Sequence, residues 1–290
     1  MEAVTLGLWP LIAYFAILMA LSLLMRDAVL RFLLTHGVTA PNYQERLIPS
    51  AAGILIWLTA AAALLLLSAW TSIAGDLELA AAGEYYKSYC LALTIVFCLG
   101  WTDDLIGNRG VKGLRGHLRA WLKERTISTG WAKAVFTAAA SAWFILDSGI
   151  WRGAMFGVLP LAVMTLSTHA LNLFDLRPGR AIKVFLFGGL IAVAAAHWQA
   201  GAWVMLLPAI AGALVLLPLD LRGEGMLGDT GANMLGFALG SAIAVHWGWA
   251  GQAVAACALA ALAIFAERHS LTRTIERLPL LHWLDRLGRE

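Results

Sequence analysis

The sequence is short of charge. Only 13% of its 290 residues are Asp, Glu, Lys or Arg, and 60% are hydrophobic. A soluble domain carries about 25% charged residues. With a mean hydropathy of +0.76, this scarcity excludes a soluble globular domain and describes a polytopic membrane protein. Cysteine is also scarce. Cys90, Cys98 and Cys257 all lie in apolar runs without paired spacing, which excludes a disulfide framework and a cysteine zinc site. No internal repeat stands out, which argues against a transporter built from repeated halves. The first apolar run, Ala3 to Met25, is too long for a cleaved signal peptide and lacks its basic leader, so it reads as a retained span. The net charge of +3 is confined to loops and a tail, and no nucleic-acid partner is expected.

What remains is mostly spanning helix. About 20 apolar residues cross a bilayer. Runs of that kind fall at about 4–25, 51–72, 87–102, 131–148, 155–174, 182–199, 202–219, 232–248 and 250–266. The expected fold is therefore an all-α transmembrane bundle of about nine spans. Residues 1–266 form the membrane domain, and residues 267–290 form an amphipathic tail whose alternating apolar and basic residues suit an interfacial helix. The loops after spans 1, 3, 5 and 7, together with the tail, hold every one of the 21 basic residues except Lys87, Lys133 and Arg152. Lys133 starts span 4 on the same side. The positive-inside rule then puts the N-terminus outside and the C-terminus in the cytoplasm of a cell-membrane protein. Trp57, Trp70, Trp143, Trp151, Trp198, Trp203, Trp247 and Trp249 mostly fall near predicted span ends, as an interfacial belt does.

Acids at membrane-segment edges are candidate functional groups. Three motifs deliver such acids to the cytoplasmic side. Asp103 and Asp104 end span 3. Successive helical residues point about 100° apart, so the two carboxylates face different neighbours. One can bind a cation while the other bonds a substrate or a lysine. Asn172 and Asp175 end span 5 and share a helical face if the helix runs that far, with Pro178 and Gly179 breaking it next. Gly228-Asp229-Thr230-Gly231 opens span 8. Glycines beside a helix N-terminus admit a phosphate to backbone N–H groups, and Asp229 suits a Mg²⁺ whose remaining ligands are phosphate oxygens. Asp-Thr is equally a good helix cap, and Gly231, Gly236 and Gly240 also permit close helix packing. Between the first two motifs runs a basic, glycine-rich loop containing Lys112, suited to anionic headgroups or a diphosphate.

These motifs, in this order, resemble the polyprenyl-phosphate N-acetylhexosamine-1-phosphate transferases, the family of the phospho-N-acetylmuramoyl-pentapeptide transferase. That family has an Asp-Asp pair at a span end, a basic loop, an Asn-x-x-Asp motif and a Gly-Asp-x-Gly helix start. Its early Gly/Pro/Asn-rich loop is similar to Gly37 to Gly53. The resemblance implies a bacterial plasma-membrane enzyme of cell-envelope synthesis. It would move a sugar 1-phosphate from a UDP-activated amino sugar to undecaprenyl phosphate, releasing UMP, with Mg²⁺ as cofactor. Asp229 would be the main metal ligand, with Asp103 as a second. Asp103 or Asp104 would orient or deprotonate the lipid phosphate. Asn172 and Asp175 would hold the nucleotide side or assist the metal. Lys112, Gly228, Thr230 and Gly231 would contact substrate phosphate. Membrane lipids and a homodimer are further partners left open. The chain departs from the pattern at Pro178, where the family has a second acid, and lacks its cytoplasmic histidine cluster, offering only Glu267-Arg268-His269-Ser270. A diverged, non-catalytic relative that binds a lipid-linked precursor or an envelope partner is therefore the second reading, and a transporter the third.

Overall fold

The computed structural model describes residues 8–74, 77–107, 129–150 and 154–289. Eleven helices and one short hairpin account for most of them. In order they are α1 (Leu8–Thr35), β1 (Thr39–Pro41), β2 (Leu47–Pro49), α2 (Ile54–Ala74), α3 (Leu77–Ile106), α4 (Thr129–Asp147), α5 (Ala154–Phe174), α6 (Arg180–Ala195), α7 (Ala200–Leu221), α8 (Gly228–His246), α9 (Trp249–Arg268), α10 (Leu271–Arg277) and α11 (Pro279–Arg286). The described part of each of the nine apolar runs seen in the sequence falls largely on one of α1 to α9. Six of these helices, α1, α2, α3, α5, α7 and α9, contain stretches long and apolar enough to cross a membrane. The fold is an all-α, membrane-type bundle.

Helix α8 is its axis. Every residue from Thr230 to Ala244 is buried, and the helix packs against α2, α3, α5, α6 and α7. In lipid there is little hydrophobic drive between helices, so close van der Waals contact and interhelical hydrogen bonds must hold them. Gly236 and Gly240 supply the contact with α5. A Cβ on Gly240 would stand 2.7 Å from the Met164 Cα, and one on Gly236 would drive into the Ser167 carbonyl. The packing role read from the glycine spacing is what the structure shows. Polar links add to it: the Trp57 indole donates to Thr94 Oγ1 at 3.0 Å between α2 and α3, and Thr59 Oγ1 donates to Ser22 Oγ at 3.2 Å between α2 and α1.

One end of the bundle is closed by the hairpin. β1 and β2 pair antiparallel, with Thr39 opposite Pro49. The chain after β2 then binds the segment that leads into α8. The Met226 N–H donates to the Pro49 carbonyl at 2.8 Å, the Ala52 N–H to the Met226 carbonyl at 2.9 Å, and the Gly53 N–H to the Leu227 carbonyl at 3.0 Å. Asn42 Nδ2 donates to the Gly223 carbonyl at 3.0 Å. These bonds fix the turn before α8 against a second chain segment, and so fix where its first residues point.

Candidate active site

The ends of α3, α5 and α7, the beginnings of α4 and α8, and the hairpin surround one cavity of about 760 Å³. Asp103, Asp104, Asp175, Asp220 and Asp229 all line it, together with Lys133 and Gly228. Three acid-bearing motifs far apart in sequence thus meet at one place.

The start of α8 is built around Asp104. Gly228 has φ +72°, a left-handed conformation that favours glycine, and it turns the chain into the helix. The first N–H groups of a helix have no partner within it. Here Asp104, reaching across from α3, supplies one. Its Oδ1 accepts from the Asp229 N–H at 2.9 Å; its Oδ2 accepts from the Thr230 N–H at 2.9 Å and from Thr230 Oγ1 at 2.5 Å. Gly100, one turn earlier on α3, lets the two backbones come this close, since a Cβ there would stand 2.7 Å from the Asp229 carbonyl oxygen. A side chain at position 228 would likewise press on Asp104 Oδ2, 2.6 Å away. Asp104 is therefore a cap donated from another helix, and its oxygens are engaged. Thr230 is fully buried under it. Gly231 faces Gly53, backbone against backbone.

Asp103 points elsewhere, as the 100° offset requires. Lys133 Nζ, from the first turns of α4, donates to Asp103 Oδ2 at 2.6 Å and also to Asp229 Oδ2. The three side chains are 17%, 18% and 27% exposed for Asp103, Lys133 and Asp229. One ammonium thus bridges two carboxylates from different helices. With that ammonium between them, the two carboxylates are held together on the cavity wall and part of their charge is offset. Among the described residues, no three acid, histidine or cysteine side chains stand together as a metal cage.

Asp175 lies just beyond α5, because Pro178 and Gly179 follow and the helix stops at Phe174. Its N–H turns back to the Asn172 carbonyl at 3.1 Å. Asp175 lines the cavity, and Asn172 stays on α5, half-buried and off its lining. Burial, followed by the negative charges of Asp220, Asp229 and Asp104, pushes the Asp175 carboxyl well above the usual carboxylate range. Asp220 ends α7 and is buried. Its Oδ2 accepts the Gly179 N–H at 2.7 Å, where Gly179 turns with φ +71°.

No protein-family model and no curated protein matches this chain.

Asp220 and Lys133 are two charged cavity residues that motif reading left out. Asp220 carried a usable signal, as an acid at a membrane-helix end. Lys133 was visible as a lone cation opening an apolar run, but its partners lie 30 and 96 residues away. Lys112 and the rest of its basic loop lie outside the described residues.

Proposed function

We propose that the chain is a membrane sugar-1-phosphate transferase that joins a UDP-activated amino sugar to undecaprenyl phosphate and releases UMP. The observation that carries this reading is the convergence of Asp103, Asp175 and Asp229 on one cavity with a lysine bridging two of them. Phosphoryl transfer asks a protein mainly for positioning and charge neutralisation. In this reading an oxygen of the lipid phosphate attacks the sugar-bearing phosphorus. A new P–O bond forms there as the bond to UMP breaks, and UMP leaves with the electron pair. Asp103 and Asp229 would hold Mg²⁺, which neutralises and orients the diphosphate when bound. Lys133, released from that pair, turns to a phosphate oxygen. Asp104 holds the first turn of α8 so that Asp229 faces the cavity. Asp175, its carboxyl pushed up by burial and its acid neighbours, lines the same cavity and faces the nucleotide side. Gly228 lines the cavity beside Asp229, while Thr230 and Gly231, buried against Asp104 and Gly53, set where that helix start sits.

The departure at Pro178 bears on this reading. Asp220 bonds the very next residue, Gly179, and so brings a carboxylate beside the position where the family pattern has its second acid. That favours turnover over the non-catalytic alternative. A cytoplasmic site, nine spans and an external N-terminus belong to the same proposal, supported by the loop charges.

The test is UMP release from purified protein given undecaprenyl phosphate, Mg²⁺ and a panel of UDP-amino sugars. Release that Asp229→Ala and Asp103→Ala abolish supports the proposal. Retained lipid binding without release from any donor favours the non-catalytic reading. For orientation, a cysteine at Ser270 should be labelled from the cytoplasmic side only, and labelling from outside would overturn the shared-side scheme.

A further inference from the structure

Beyond the cavity, the tail from Leu271 to Arg289 carries a second organised feature. Asp285 on α11 is held by two arginines at once. Arg180 Nε and Nη2 donate to its two oxygens at 2.7 and 2.8 Å, and Arg289 Nη2 and Nη1 do so at 2.8 and 3.0 Å. Arg180 is almost wholly buried, with its side chain 4% exposed. Arg289 Nε also donates to the Pro178 carbonyl at 2.7 Å, and Lys183 Nζ donates to the carbonyls of Leu284, Asp285 and Leu287, which end α11. Bidentate arginine–carboxylate pairs are directional as well as strong. The tail is thus locked to the Pro178–Arg180 turn, which follows Asp175 in the cavity wall.

Among the described residues, the opposite face of α11 has no such partner. Leu280, Trp283, Leu284 and Leu287 are 68%, 60%, 44% and 52% exposed. They recur at helical spacing along one stripe, while His282, Asp285, Arg286 and Arg289 share the other. The tail's ends are tied to membrane-type helices. It leaves α9 at Arg268, and it finishes with Gly288 against Leu221 at the end of α7. A segment tied at both ends to such helix ends runs along the level where they leave the lipid. Arg273, Arg277 and Arg286 are exposed along it. An apolar stripe with tryptophan, basic flanks and a position at span ends is the pattern of a helix lying in the headgroup region.

We infer that α11 rests its Leu280–Leu287 stripe in the surface of an anionic bilayer and, through Asp285, Arg180 and Arg289, straps the Asp175–Gly179 turn into the cavity wall. The inference does not depend on the reaction proposed above. It makes lipid contact part of how the cavity is assembled: a tail that leaves the surface pulls on the turn that carries Asp175.

Two measurements test the two halves. Single cysteines at Leu284→Cys or His282→Cys, with Cys90, Cys98 and Cys257 replaced by alanine, would carry a polarity-sensitive fluorophore. The full chain would sit in nanodiscs of phosphatidylcholine alone or mixed with phosphatidylglycerol in about equal amounts. The expected result is blue-shifted emission at position 284, quenched by lipids spin-labelled near the headgroup and stronger with phosphatidylglycerol, with aqueous emission at 282. Aqueous emission at 284, or blue-shifted emission that lipid labels do not quench, would overturn the surface placement, the latter pointing to a second copy or another protein. An equal response in both lipids would overturn the anionic preference. For the strap, a spin label at Leu176→Cys should become more mobile in Asp285→Ala and, to a smaller extent, in Arg289→Ala. Unchanged mobility in both would overturn it.

Discussion

Asp103 and Asp104 are neighbours with the same side chain, and the structure gives them different tasks. Replacing each by alanine separates those tasks. Asp104→Ala removes the acceptor for two backbone N–H groups and a hydroxyl at the start of the central helix. An N-cap replaced by alanine costs about 0.5–2 kcal/mol. A buried donor left without a partner costs about 1–3 kcal/mol, and release of a buried carboxylate offsets part of that. The net loss should be about 2–4 kcal/mol. Asp104→Asn keeps one acceptor oxygen and should lose roughly half as much. Asp103→Ala removes one of the two carboxylates on Lys133, leaves the other, and ends the repulsion between Asp103 and Asp229, so the loss should be clearly the smaller of the two. Intrinsic tryptophan fluorescence, with 13 tryptophans in the chain, follows thermal unfolding in detergent. The midpoint should fall by several degrees in Asp104→Ala and clearly less in Asp103→Ala, whereas Mn²⁺ binding read by electron paramagnetic resonance should weaken far more in Asp103→Ala. Equal destabilisation by the two, or an unchanged midpoint in Asp104→Ala, would refute the division of roles.

Three further predictions concern other parts of the molecule. Lys133→Met removes the cation that bridges Asp103 and Asp229 and should tighten Mn²⁺ binding about tenfold by ending that competition, a change of about 1.4 kcal/mol; weaker binding would show instead that Lys133 organises the two acids for the ion. Gly236→Ala forces a methyl into the α5 backbone at Ser167 and should lower stability by about 1–3 kcal/mol or more, while Gly189→Ala, inside α6 with its methyl no nearer than 4.0 Å to Leu206, should not lower it in the same unfolding assay. The tail clamp should resist mild acid. Burial works against the charge on Asp285, but hydrogen bonds from Arg180 and Arg289 outweigh it and hold the carboxyl well below the usual range. A depressed carboxyl stabilises the folded form above its unfolded value of about 4 and loses that contribution only as pH falls through its lower folded value. A spin label on α11 should therefore report a docked tail from neutral pH down to about 4 and release in stronger acid; release between neutral pH and about 5 would contradict the clamp.

Much of this architecture was legible because lipid imposes long apolar runs, and the described part of each of the nine runs is largely helix. The tight break between the last two is the short stretch between His246 and Trp249. The glycine stripe of α8 was readable for a related reason: in lipid, close backbone approach is itself a source of stability. Side-chain convergence was less legible. That Asp104 would cap a helix beginning more than a hundred residues later depends on how α3 is rotated against α8, which no local pattern records. Lys133 became part of the site only because α4 starts beside α3 and α8. Of Asn172 and Asp175 only Asp175, at the turn where α5 ends, lines the cavity, a difference their spacing alone does not show. Asp220 entered through the backbone of Gly179, a contact made by turn geometry and not by motif spacing.

The central claim is that the acid-lined cavity transfers a sugar phosphate to a lipid. It is tested most directly by following a phosphorus label. Donor carrying the label on its sugar-bearing phosphate would be incubated with undecaprenyl phosphate, Mg²⁺ and the protein in lipid nanodiscs, and the organic phase counted. The account predicts label in the lipid fraction, matched one for one by UMP and lost in Asp229→Ala. Label that stays in the aqueous phase with every amino-sugar donor, while the protein remains folded and binds the lipid, would contradict it.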